Sequence, residues 1–238
     1  MVERFKGDGA QDYDQRISRL VPGYALLHQL SAAQLMTRLG PRARVLLVGV
    51  GTGSELLLLG QSCPEWQFIA QDISADMLAQ ARQRAELADM AERVTWWEGP
   101  LPAQSLGCDG ALCLLVLHFL HFEQKAALLR DIARQLRAGS PLLMADLMAA
   151  QDDTERAVMG LQAHLAGLPL SASEQMVQRL DRDFFPLNEE QTRQLLGAAG
   201  FGTGWRYFQA LGFHGWLAER DRSHSSASNC CLMGRPPA

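Results

Sequence analysis

Short, continuous apolar runs alternate along this chain with longer stretches in which apolar residues recur every three or four positions. The first run, Val45 to Val48, is cut off by three glycines spaced by single residues, Gly49, Gly51 and Gly53, and a second apolar run follows at Leu56 to Leu59. A valine- and leucine-rich run bounded by glycine reads as a buried parallel strand, and the run beyond the glycines as the first turns of a helix. The alternation then continues: a second strand over residues 66–72, a helix over about 75–88 capped by Ser74, and a third strand over 94–99. A near-continuous apolar fourth strand follows at 109–117, a helix over 123–136 ended by Gly139, and a fifth strand over 141–147. After Met148 the rhythm changes. Helical spacing covers 152–166 and 171–180 with no strand between, a last helix runs over 189–199 to Gly200, and two strands, 205–210 and 213–219, close around Gly212. Ahead of the first strand the pattern is helical twice, over 13–20 and 25–39, with the sequence VPGY between.

Strands and helices in this order predict an α/β fold, a Rossmann-like, mostly parallel sheet of seven strands. Residues 1–40 read as an N-terminal helical flap, 41–219 as the main domain, and about 150–185 as a helical insertion that forms a lid. Residues 220–238 are polar, small and proline-ended, which predicts a disordered tail.

Composition narrows the setting. Of 238 residues, 47% are hydrophobic and 20% charged, ordinary for a globular domain, and the net charge of −4 argues against a broad nucleic-acid surface. No apolar stretch is long enough to span a bilayer and the N-terminus lacks an apolar signal core, so the expected location is cytoplasmic. Five cysteines, including the pair Cys230 and Cys231, include no C-x-x-C, which suits a reducing compartment and predicts no metal site.

The candidate chemistry starts at the glycine turn. Glycine reaches backbone angles closed to other residues and lets a ligand lie against bare main chain, while the free N–H groups at the helix start form a mildly positive cup. Asp72 ends strand two, where in an open parallel sheet a carboxylate can accept both ribose hydroxyls of a nucleoside. A dinucleotide site shares that acid but wants a glycine or alanine where this chain has Ser54. The aromatic cluster Trp205, Tyr207, Phe208, Phe213 and Trp216 sits at strand spacing, as in an antiparallel pair packed on the core.

The spacing G-x-G-x-G, with YDQRISRLVPGY, QDIS, LLVLHFL and WRYFQALGFHGWLA, resembles the class I S-adenosylmethionine (SAM) methyltransferases across residues 12–219. Within that superfamily the chain is most similar to the carboxy-SAM synthase group, whose members make carboxy-SAM from SAM and prephenate for tRNA modification. The resemblance implies SAM as cofactor, S-adenosylhomocysteine as product, and a homodimer. It places Tyr24 at the amino-acid end of SAM, Gly49, Val50, Gly51 and Gly53 along the methionyl part, and Asp72 on the ribose. Ile73, Pro100 and Leu101 would flank the adenine, with Leu114 at the end of strand four. Arg179 falls near an arginine that in the carboxy-SAM group pairs with the extra carboxylate, a role suited to its planar fork; a solvated helix arginine is the other reading. Three positions depart from the family pattern: Leu47 and Pro100 stand where acids are usual, and Leu114 where the carboxy-SAM group has asparagine.

SAM chemistry needs alignment of the acceptor behind the methyl group and exclusion of water, and a base only where the acceptor holds a proton at neutral pH. His118 and Asp146 lie near strand ends as candidates for catalysis, or for ordinary packing and strand termination; His121 and His164 have weaker claims. The expectation is a methyltransferase acting on a small-molecule acceptor, with carboxy-SAM synthesis second and a non-catalytic SAM-binding regulator as the reading from another class. An NAD-linked oxidoreductase is disfavoured by Ser54.

Overall fold

The computed structural model describes residues 13–222, so the start of the flap and most of the expected tail, with Cys230 and Cys231, lie outside the described residues. Two helices come first, α1 (Tyr13–Leu20) and α2 (Tyr24–Met36), separated at Gly23, which takes φ +70°. Then come β1 (Arg44–Val48), α3 (Ser54–Ser62), β2 (Gln67–Asp72), α4 (Ala75–Leu87), β3 (Val94–Glu98) and β4 (Gly110–Leu114). The chain continues through α5 (Phe122–Gln135), β5 (Pro141–Leu147), α6 (Asp153–Leu165), α7 (Leu170–Asp183) and α8 (Glu189–Ala198), and ends on β6 (Trp205–Ala210) and β7 (Phe213–Glu219).

The strand order is β3-β2-β1-β4-β5-β7-β6, and only β7 runs against the others. This is the expected seven-stranded α/β sheet. Each face is covered by helices, so the central strands β1 and β4 are buried on both sides and read as apolar runs, while β2 and β5 carry polar residues only towards their carboxyl ends apart from Gln67 at the start of β2. In β1, Val45 and Leu47 join the core under α2, α3 and α4, whereas Leu46 and Val48 join the core under α5 and α8. Successive side chains of a strand point to opposite faces, which is why one five-residue element serves both layers.

Strand four is shorter than its apolar run. It stops at Leu114 because Leu115 adopts φ +60°, a left-handed conformation that ends regular pairing, while its N–H still reaches Ala145 O at 2.6 Å. At the other edge Arg220, inside the segment expected to be disordered, still bonds Ser140 O and accepts from Gly139 N. The insertion folds as α6 packed on α7, where a β-carbon at Gly160 would come within 2.9 Å of Val177 Cγ2. Beyond it, Phe184 stacks against the rings of His118 and Phe119, bringing the end of α7 to the carboxyl edge of the sheet.

Candidate functional site

The strand order reverses between β1 and β4, and in an open α/β sheet ligands bind outside the carboxyl ends of the strands at such a point. There the chain turns through Gly49, Gly51 and Gly53, at φ +65°, +54° and +86°. The three glycines answer to different constraints. A β-carbon at Gly49 would lie 2.4 Å from Val116 Cγ2, and one at Gly53 would lie 3.2 Å from Ala81 Cβ, whereas one at Gly51 would meet nothing nearer than Gly49 O at 4.0 Å. Packing therefore requires two of them, and Gly51 borders open space.

Strand β2 latches this turn from the side. Asp72 Oδ2 accepts from Gly51 N at 2.9 Å and its Oδ1 from Ser74 N at 2.9 Å. Each carboxylate oxygen keeps a further lone pair for a ligand hydroxyl. Burial raises the Asp72 pKa above the usual carboxylate range, while the backbone donors of Ser74, Gly51 and Ile73 pull it back. Gln71 spans the mouth: its Oε1 accepts from Gly49 N at 3.2 Å and its Nε2 donates to Gly99 O at 2.6 Å.

Around the turn opens a cleft of about 340 Å³. One wall is apolar, built from Ile73, Met77, Leu101, Val116 and Leu128, and Ile73 is 45% exposed there although it is a large aliphatic side chain. Polar groups sit at the ends: Asp72 and Gln71 at the turn, Gln124 and Asp131 on α5, and Tyr13 of α1 across the opening. The first helix is held in place by Asp14, which accepts from Thr52 Oγ1 at 2.5 Å and from Arg84 Nη1 at 2.8 Å.

Comparison with known proteins decides the class. A methyltransferase-domain family matches residues 45–139, the segment from β1 through the helix after β4. The carboxy-S-adenosyl-L-methionine synthase of Desulfotalea psychrophila is 26% identical over 213 residues, covering 87% of each chain, and that of Campylobacter hominis is 27% identical over 220 residues, covering 91% of this chain and 94% of its own. Among solved structures, the magnesium protoporphyrin IX methyltransferase of Synechocystis, with bound S-adenosylhomocysteine, superimposes with a TM-score of 0.67 at 18% identity, covering 92% of this chain and 97% of that one. Residues 45–139 carry a methyltransferase domain.

The cleft of this methyltransferase suits a nucleoside cofactor by its own geometry. The open position at Gly51 is a cradle that any β-carbon would fill, the carboxylate of Asp72 stands beside it, and the apolar wall offers a face for a planar base. Of the residues expected from sequence, Gly49, Gly51, Asp72, Ile73, Pro100, Leu101 and Leu114 border this cleft. Tyr24 and Val50, again with Gly49 and Gly51, border a smaller cavity of about 30 Å³ next to it. Gly53 borders neither cavity and sits at the N-cap of α3.

His118 and Asp146 are brought together, but away from the cleft. Asp146 accepts from the His118 ring at Nδ1, from His118 N and from Leu147 N. The histidine is buried, with its ring against Phe119 and Phe184, and only Phe119 of these borders the cleft. Beneath this pair Lys125 is buried too, donating to Leu117 O at 2.5 Å and Leu120 O at 2.6 Å, and burial lowers its pKa to about 8. Arg179 lies half-exposed on α7, paired with Asp183 at 2.7 Å, and borders neither cavity. His121 caps α5 and stacks on Phe185, and His164 bonds Leu168 O. Among the described residues no group of three His, Cys, Asp or Glu side chains is placed to hold a metal ion, and no helix is long and apolar enough to cross a membrane.

Sequence reasoning overlooked Tyr13, Gln71, Gln124, Asp131, His28 and Glu55. Gln71 carried one signal, since it immediately precedes Asp72 after the apolar run Phe68 to Ala70. Glu55 carried another, as a lone acid inside the apolar start of α3.

Proposed function

We propose that this SAM-dependent methyltransferase acts on a small-molecule acceptor, with the cofactor lying along the glycine turn and its ribose on Asp72. The observation that carries this reading is the pairing of Asp72 with Gly51 N at a position where a β-carbon would enter open cleft. On this reading Tyr24, Gly49, Val50 and Gly51 flank the methionyl part, Gly53 sets the start of α3, Ile73, Pro100 and Leu101 enclose the adenine, and Leu114 closes the floor. When bound, SAM supplies an electron-poor methyl group on a neutral leaving sulfur. The work of the chain is then to orient and to exclude water: Tyr13 covers the opening and the apolar wall keeps the reacting region dry. His118, oriented by Asp146, is the base for an acceptor that must lose a proton, and such an acceptor reaches it by displacing Phe119 or Phe184. No lysine or arginine borders the cleft among the described residues, and the chain is acidic overall, which favours a small acceptor over a nucleic acid. A cytoplasmic homodimer is the assembly that goes with this reading.

The test is incubation of purified protein with SAM and a panel of small-molecule acceptors, reading S-adenosylhomocysteine formation. Acceptor-dependent product is expected; tight SAM binding with no product from any acceptor supports a non-catalytic SAM-binding role instead. A second reading, carboxy-SAM synthesis, is favoured by the relatives named above, which this chain matches over most of their length. It predicts that SAM with prephenate gives a nucleoside heavier by one CO2, and that Arg179→Ala abolishes it. Absence of that mass from the parent protein rejects this reading.

A further inference from the structure

At the methionyl end, two buried ionisable groups have no part in the reading so far. The small cavity of about 30 Å³ shares Tyr13, Gly49 and Gly51 with the main cleft and is large enough for one ammonium or carboxyl group. His28 of α2 and Glu55 of α3 border it, at 8% and 7% exposure. His28 Nδ1 stands 3.7 Å from Glu55 Oε2, beyond hydrogen-bond reach, and neither ring nitrogen of His28 has a partner within the chain. Buried polar groups are nearly always bonded, so an unpartnered imidazole at the wall of a cavity marks a place for something to bind.

The surrounding charges give the sign of that something. Asp14 on α1, Glu55 on α3 and Asp72 on β2 are three carboxyl groups around one end of the cleft, with the phenols of Tyr13 and Tyr24 between them. Arg84 on α4 is the cation that acts on Glu55, and it is already paired with Asp14. Cys113 on β4 feels the charges of Asp146 and Glu55, and burial above all holds its thiol protonated. With no cation of its own, Glu55 is pushed up to about 8, chiefly by burial and further by Asp72 and Asp14, against the opposing pull of a backbone hydrogen bond and Arg84. Burial lowers His28 to about 4, so its ring is neutral at pH 7 and one nitrogen can accept a hydrogen bond.

We propose that Glu55 and His28 form a proton-linked seat for the α-ammonium group of the methionyl end, with Glu55 releasing its proton to solvent as the ammonium arrives. The inference rests on SAM occupying the cleft. The O–H bond of Glu55 breaks, the proton passes to water or buffer, and the carboxylate left behind pairs with the ammonium while His28 accepts one of its N–H groups. Arrival of the ligand's carboxylate instead would leave Glu55 protonated as a donor, with no proton released.

The test is calorimetric titration between pH 6.5 and 7.5 in buffers of different ionisation enthalpy, with SAM and with 5′-methylthioadenosine, which lacks the amino-acid end. For the parent, about 0.9 proton leaves per SAM bound at pH 7 and affinity rises about eightfold across that range, as follows from a group titrating near pH 8 in the free protein. Glu55→Gln binds SAM with no proton release and a flat pH profile, and His28→Phe weakens SAM but leaves 5′-methylthioadenosine unchanged. Binding of SAM by the parent without proton release, or release undiminished in Glu55→Gln, overturns the proposal while the cofactor site stands. Failure of both nucleosides to bind the parent overturns the site along with the seat.

Discussion

Replacing Gly51 by alanine should damage ligand binding more than the fold, and replacing Gly49 should damage the fold directly. Both positions have positive φ, and an L-residue held there loses about 1–2 kcal/mol relative to glycine. At Gly51 that is the whole loss, because the new β-carbon meets nothing nearer than 4.0 Å. At Gly49 the β-carbon would sit 2.4 Å from Val116 Cγ2, and forcing an extra carbon into packed space adds about 1–3 kcal/mol. The expected losses of unfolding free energy are therefore about 1–2 kcal/mol for Gly51→Ala and about 2–5 kcal/mol for Gly49→Ala, read from urea unfolding without ligand. Val116→Ala in the Gly49→Ala background should return part of the loss by removing the methyl that the new carbon strikes. SAM binding by calorimetry should show the opposite weighting: Gly51→Ala weakens SAM at least about tenfold, or roughly 1.4 kcal/mol, since its methyl stands where the ligand meets bare main chain. Parent-like SAM affinity in Gly51→Ala would refute the placement of the cofactor along this turn.

Two further outcomes follow from the same geometry. Asp72→Ala leaves the N–H groups of Gly51 and Ser74 without their acceptor, so it should lower stability by about 1–3 kcal/mol and weaken SAM by a similar amount, checked by unfolding and by equilibrium dialysis. Lys125 titrates at about 8 in the folded protein, below the ordinary lysine value, so the unfolded chain binds more protons between those limits and the lysine's contribution to stability rises as pH increases through them. The stability of the parent relative to Lys125→Met should therefore rise by roughly 2–3 kcal/mol from pH 8 to pH 10.4, and a constant difference would contradict the burial argument.

What the amino-acid pattern revealed follows from where each signal resides. The glycine and proline breaks at Gly139–Pro141 and Gly212 delimit β5 and the pair β6 and β7 to the residue, and the alternation of short apolar runs with helical spacing predicts the seven-stranded α/β sheet. The end of β4 falls short of its apolar run because nothing in a leucine announces the positive φ that Leu115 adopts. The glycines were visible because they cluster in the single turn after β1, and Asp72 because it ends the next strand. The pocket of His28 and Glu55 was not, since it exists only where α2 lies against α3, and the two residues are separated by a full strand. The same holds for His118 and Asp146, both noticed singly: only the pairing of β4 with β5 shows that they bind one another and turn away from the cleft.

Tyr13 lines the cleft, and the helix that carries it is tied to the glycine turn and to α4 through Asp14, whose bond to Arg84 is a partly solvent-exposed ion pair. Such pairs contribute about 0–1 kcal/mol. On the proposed reading, high ionic strength should therefore free the helix that carries Tyr13 before it disturbs the glycine turn and Asp72.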